Sequence, residues 1–303
     1  MASGSRDWRA LLGWLGGRQT FEDVPPKPTV SPAPRDALGR VLVARTRPRG
    51  DLHAAVGRVL DSLAWHGPLL SQDDTPLVLP RFGAGPSPLS TAPDFLEATI
   101  AALRGAGAGY IRVLDARSSA QPEPRDLAET CERAGCELVD VREGPWVRVT
   151  VGGGLGRVLV PRVAYEAEKL VLLPSPLVNP VTRFAMALAL GQELLHARDR
   201  GALSRVRQEE LLVELNIALR PWLALMDARR ALVSDEGPVT REPGYVLASG
   251  DPVALDVAAL RLLKGYPAKN RLDLPVWQFP QVTAAIRLGL GATREDDVYL
   301  LER

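Results

Sequence analysis

Cysteine is almost missing from this chain, with Cys131 and Cys136 its two among 303 residues. An iron–sulfur cluster needs four thiolates, and a single C-x4-C pair is not a zinc site. The pair brackets a helix end, Cys-Glu-Arg-Ala-Gly-Cys; a disulfide is possible in principle, but the expectation is buried or free thiols in a reducing compartment. Histidine is as scarce: His53, His66 and His196 have no spacing that suits a metal. No metal or cofactor is expected. A net charge of +1 removes the electrostatic case for nucleic acid as a partner. The longest apolar run, residues 184–190, is far too short to cross a bilayer, and no secretory signal core is evident. A cytoplasmic location is the expectation. Nucleophile elbows, Walker-type loops and internal repeats are missing too.

What is present is an ordinary globular balance, 46% hydrophobic and 24% charged, over a length that can bury a large core. Trp8, Leu11, Leu12 and Leu15 recur at i, i+3, i+4 and i+7, so residues 1–23 are read as an amphipathic helix. It is too short to stand alone in water. It either packs on its own domain or docks on a protein partner, a second copy or a membrane surface. Residues 24–38, with Pro25, Pro26, Pro28, Pro32 and Pro34, read as a semi-extended linker. Residues 39–303 then read as one domain.

From Gly39 strand and helix patterns alternate. Strands are expected at 41–45, 75–79, 110–114, 137–139, 170–173, 222–226, 245–249 and 298–301. Helices are expected at 52–65, 93–105, 124–134, 252–264 and 280–288. That rhythm predicts an α/β fold with a mainly parallel sheet covered by helices on both faces. Two insertions break it. Residues 146–151 and 157–160 read as a β-hairpin closed by Gly152-Gly153-Gly154-Leu155-Gly156. Residues from Thr182 to about Leu219 read as a helical block interrupted near Gly201.

The glycine run tempts as a phosphate cradle, but such a loop must open a helix and here a strand follows. Glu193 and His196 form a lone Glu-x-x-His pair where a di-iron site would need two. Carboxylates are the better candidates. Strands ending in Asp115, Asp140 and Asp227 would place acids at the sheet's carboxyl edge, where open α/β sheets bind ligands. Such acids could hold a cation, accept hydroxyls or act as a base; they could equally shape turns. Asp251, before Pro252, suits a helix N-cap. Asp256 lies in Val-Ala-Leu-Asp-Val-Ala-Ala-Leu, a helix apolar nearly all round, where a carboxylate needs partners or a raised pKa. The ligand-binding candidates are therefore Asp115, Asp227, Asp251 and Asp256.

Several stretches resemble a prokaryotic family, number 362 in the domain-of-unknown-function series. They are Leu-Val-Leu-Pro-Arg at 77–81, the unit from Phe95 to Asp115, Val160-Pro161-Arg162 and Leu172-Leu173-Pro174. Ala224 to Asp227 with Gly237-Pro238, Ala248 to Asp256 and residues 284–291 complete the set. Members of that family are sometimes joined to ferredoxin-type iron–sulfur modules. The resemblance implies cationic or polar groups where this chain has Leu79, Leu177, Asn179, Ala187 and Leu188. It thereby implies a divergent member that has lost catalysis and acts as a binding or structural subunit. The other reading is a redox-associated enzyme that binds a metal or a small anionic ligand at the strand ends.

Overall fold

Short apolar runs make the central strands, because a strand covered on both sides has no polar face to show. Leu77–Pro80 and Leu170–Leu173 are buried at every position. The computed structural model describes residues 21–28, 33–64, 67–83, 90–117, 125–204 and 207–303. In chain order its strands are β1 (Glu22–Val24), β2 (Val41–Thr46), β3 (Leu77–Pro80), β4 (Arg112–Asp115), β5 (Glu137–Asp140), β6 (Trp146–Gly152), β7 (Gly156–Pro161) and β8 (Leu170–Leu173). They continue with β9 (Val178–Asn179), β10 (Arg183–Phe184), β11 (Leu223–Ala228), β12 (Ala231–Leu232), β13 (Thr240–Arg241), β14 (Tyr245–Ser249) and β15 (Val298–Glu302). The α-helices are α1 (Leu52–Leu63), α2 (Pro93–Gly105), α3 (Arg125–Ala134), α4 (Arg162–Glu166), α5 (Ala187–Leu190), α6 (Gln208–Leu219), α7 (Pro252–Lys264) and α8 (Pro280–Arg287).

Eight strands form the main sheet in the order β15-β2-β14-β11-β8-β3-β4-β5. Only β14 runs against the rest, paired antiparallel with β2 and β11. The fold is thus mixed α/β with a mostly parallel sheet, as the alternating pattern predicts. Successive strand residues point to opposite faces, and neighbours join different cores. Val43, Leu79, Leu172 and Met226 pack in one cluster with α5, α6, α7 and α8. Leu42, Val78, Val171 and Leu225 pack in a second with α1, α2 and α3. A separate sheet, β1-β6-β7, joins the first cluster through Val147, Val149 and Val160. Full burial of one Leu or Val stabilises by about 1.5–3 kcal/mol.

The N-terminal expectations change in detail. Trp8, Leu11, Leu12 and Leu15 lie outside the described residues. Glu22–Val24, where the sequence reading passes from the helix (to residue 23) into the linker, is instead a strand parallel to β6. The linker is not free either. Lys27 is buried, and its Nζ donates to the carbonyls of Ala167 and Leu219. Ala33 and Pro34 pack so closely on Gly250 that a Cβ there would lie 2.9 Å from Pro34 Cδ.

The expected helical block is met in part and is more broken than expected. Residues 180–219 hold β10, the four-residue α5, two 3-10 turns (Gly191–Leu194 and Arg200–Ser204) and a single 12-residue helix, α6. Continuous helix would keep the apolar run 184–190 on one rod. The chain instead threads it through the interior, where Phe184, Met186, Ala187, Leu188, Ala189 and Leu190 have no exposed surface. That run is core and offers no face to a partner.

Candidate functional site

A cleft of about 800 Å³ opens at the carboxyl ends of β3, β8 and β11. Pro80, Arg81, Ser175, Asp227 and Arg229 come from the strand ends, Thr91, Pro93 and Asp94 from the start of α2, and Asp126, Leu127 and Thr130 from α3. Parallel strands feeding helices put this crevice where α/β sheets bind small molecules. Of the four sequence candidates, Asp227 alone lines it. Asp115 ends the neighbouring strand β4, while Asp251 caps α7 and Asp256 lies within it, a helix packed with the other of the two cores. The four do not converge on a common hollow.

Each strand-end aspartate carries its own cation. Asp115, Asp140 and Asp227 are followed two residues later by Arg117, Arg142 and Arg229. In every case Oδ1 accepts the backbone N–H of that arginine (3.2, 2.8 and 3.1 Å), closing a tight turn. The guanidinium then folds back on the same carboxylate. Arg117 Nε donates to Asp115 Oδ1 at 2.7 Å, Arg142 Nε to Asp140 Oδ1 at 2.8 Å, and Arg229 Nε to Asp227 Oδ1 at 2.9 Å. Arg229 also grips Asp94 with two bonds of 2.6 and 2.8 Å, which pulls the Asp94 carboxyl below its ordinary value. Each arginine stands just past its strand, in the turn that the acid closes through its N–H, so the spacing Asp-x-Arg was a legible signal that carboxylate counting passes over.

Asp251 and Asp256 satisfy backbone. Asp251 Oδ1 caps α7 by accepting from Val253 (2.8 Å) and Ala254 (3.0 Å), and its Oδ2 accepts from Ala292 (2.7 Å). Asp256 Oδ1 accepts from Ala187 (2.8 Å) and Oδ2 from Leu188 (2.9 Å), holding the start of α5. Burial pushes the Asp256 carboxyl up to about 7, against the downward pull of those two bonds and of Arg81. Burial likewise raises Asp251, against its backbone bonds.

Arg81, quoted above as part of a sequence match but not as a candidate, is the residue the sequence did not single out. It is buried at the cleft wall, directly after β3. Its Nη2 donates to Ala185 O at 3.0 Å, and its Nη1 is buried with no hydrogen-bond partner among the described residues. Burial lowers its pKa, while Glu193 and Asp256 pull it back up. Glu193 is itself raised by burial. A lone arginine after a strand carries no signal of burial; only the packing of the 184–190 run over it creates one.

The remaining motifs are structural. The glycine run closes the antiparallel pair β6–β7 and receives a carboxylate of the protein itself. Glu214 accepts from the N–H groups of Gly154 (2.9 Å) and Leu155 (2.8 Å). A Cβ at Gly153, whose φ is +57°, would lie 2.2 Å from Glu214 Oε1. Glu193 sits on a 3-10 turn and His196 beyond it, so they do not share a helical face. His196 meets Trp146 edge-on, 4.7 Å between centroids, and burial lowers its pKa. Among the described residues no group of three or more acids, histidines or cysteines could hold a metal ion.

Four of the positions where the family resemblance implies cationic or polar groups are core: Leu79, Leu177, Ala187 and Leu188 are 0–4% exposed. Asn179 bonds the N–H groups of Val181 and Thr182. A family model described as "Domain of unknown function (DUF362)" matches residues 77–261, more than half of the chain. No curated protein matches it. No helix among the described residues is long and apolar enough to cross a membrane.

Proposed function

Because the chain belongs to the DUF362 family, whose function is unknown, we propose a role from the geometry: a non-catalytic binding protein that takes a small anionic molecule in the cleft. Arg81 carries this reading. A guanidinium Nη1 with no partner among the described residues, inside the protein, costs about 1–3 kcal/mol. Its neighbouring acids, Glu193 and Asp256, are biased by burial toward their neutral forms. A carboxylate or phosphate reaching Arg81 would return that cost through a charge-assisted bond. Ser90, Thr91, Thr130 and Ser175 offer hydroxyls along the wall, and Phe82, Leu96 and Leu127 an apolar surface.

Catalysis fares worse on the same ground. A general base needs a free lone pair within reach of substrate. Asp227 is held by Arg229, Asp115 by Arg117, and the other two candidates by backbone N–H groups. A protein partner or second copy reached through Trp8, Leu11, Leu12 and Leu15 belongs to the same binding role, as does a cytoplasmic setting.

Thermal unfolding of the full chain with inorganic phosphate, pyrophosphate and citrate tests the reading, since a ligand of the native state raises Tm by mass action. At least one anion should raise Tm. The shift should vanish in Arg81→Met and shrink in Arg230→Glu, an exposed wall residue whose reversal leaves the core intact. No shift with any anion, or equal shifts in both variants, would overturn it.

A further inference from the structure

Helix α3 ends in a Schellman motif. Gly135 has φ +64°, its N–H bonds Glu132 O at 3.0 Å, and the Cys136 N–H bonds Cys131 O at 2.9 Å. These are the 5→2 and 6→1 bonds of that motif, and the residues joined by the 6→1 bond bring their side chains into contact. Here those residues are the chain's two cysteines. Cys136 Sγ also lies 3.6 Å from the Cys131 carbonyl, back over the helix end. A disulfide needs Cα atoms within about 4.4–6.8 Å, and a 6→1 bond draws its two ends close.

We propose that Cys131 and Cys136 form a reversible dithiol–disulfide pair, with Cys136 the attacking thiol and Cys131 the resolving one. Exposure sets the order: Cys131 is 2% exposed, whereas Cys136 is partly open to solvent. Electrostatics agrees with it. The Cys131 S–H bond to Cys136, and then the Arg104 guanidinium, hold the Cys136 thiol below its ordinary value, while Cys131 is pushed up. A helix C-terminus ordinarily disfavours a thiolate. Arg104 offsets this by donating to the last carbonyls there, Ala134 O and Gly135 O. Without these features, two small buried thiols would simply fill the usual apolar contact of the motif.

The oxidant is a low-molecular-weight disulfide, RSSR. The Cys136 thiolate attacks one of its sulfurs, the S–S bond breaks and one RS⁻ leaves. Cys131 then gives its proton to solvent and attacks Cys136 Sγ, expelling the second RS⁻. The protein dithiol is oxidised by two electrons and one RSSR is reduced to two RSH. This needs no occupant of the cleft and stands apart from the anion reading.

The test is incubation of the native full chain with oxidised glutathione, followed by thiol counting and intact mass. The expected product lacks both free thiols, is lighter by two hydrogens and retains no glutathione; non-reducing digestion links the peptides of Cys131 and Cys136. Cys131→Ser should hold glutathione on Cys136, and Cys136→Ser should stay unmodified while folded. Wild-type protein that keeps glutathione on Cys136 beside a free Cys131, or that leaves both thiols unreacted, overturns the proposal without any variant having to fold.

Discussion

Asp256 Oδ1 accepts the backbone N–H of Ala187 at 2.8 Å, tying the middle of α7 to the first residue of α5 across the protein interior. Its other oxygen does the same for Leu188. The most site-like carboxylate in the sequence is therefore an interior cap for a helix of four residues.

Asp256→Ala should strip two buried N–H groups of their acceptor. At about 1–3 kcal/mol for each unsatisfied donor, urea unfolding should show a loss of about 2–6 kcal/mol. A loss below about 1 kcal/mol would mean that α5 finds another cap.

The same residue predicts an unusual pH slope. Its folded pKa, about 7, lies above the unfolded value of 3.8. Between these values the folded chain holds a proton that the unfolded chain releases, so stability from this group falls as pH rises from about 4 to 7. Urea midpoints of wild type and Asp256→Asn across that window should diverge, with the wild type steeper by up to about 1.4 kcal/mol per pH unit.

The three Asp-x-Arg turns should respond according to burial. The side chains of Asp115 and Arg117 are 4% and 8% exposed, against 24% and 43% for Asp140 and Arg142. Removing one partner of a buried pair costs about 3–5 kcal/mol, and of an exposed pair about 0–1. Arg117→Met should therefore fall in the first range, and Arg142→Met, which also gives up a longer 3.9 Å pairing with Asp115, nearer the second by equilibrium denaturation. Equal costs would refute the burial argument.

Gly153→Ala meets two penalties, a left-handed backbone of roughly 1–2 kcal/mol and contact with the Glu214 carboxylate. Glu214→Ala removes that contact. In a double-mutant cycle the pair should cost less than the sum of the singles by about 0.5–3 kcal/mol. Strict additivity would place the Glu214 carboxylate elsewhere.

Lys27 sets a slope of opposite sign. Burial lowers its pKa from 10.5 to about 8. Between these values unfolding takes up a proton, so this group makes the protein more stable as pH rises from about 8 to 10.5. Lys27→Met should abolish the rise, measured by urea unfolding in that range.

The mostly parallel sheet was readable because its strands are continuous apolar runs set between capped helices. The spans 93–105, 170–173, 245–249 and 252–264 coincide with α2, β8, β14 and α7. Pattern reads residues 182–219 in part, giving α6 but not the stretch before it. There an apolar run that one rod could carry is bent into a four-residue helix and 3-10 turns, because it must fill space between α6 and α7 rather than lie on a surface.

Sequence alone determined which residues had to leave water and which strands would end in a carboxylate, since burial and periodicity are local properties of the chain. It also placed an arginine two residues beyond each of those acids, which is a local geometry. Tertiary structure decided the rest. Which buried guanidinium nitrogens have no partner among the described residues and which acid became a cap depend on distant segments meeting, and Coulomb energies follow distance and burial rather than position in the chain.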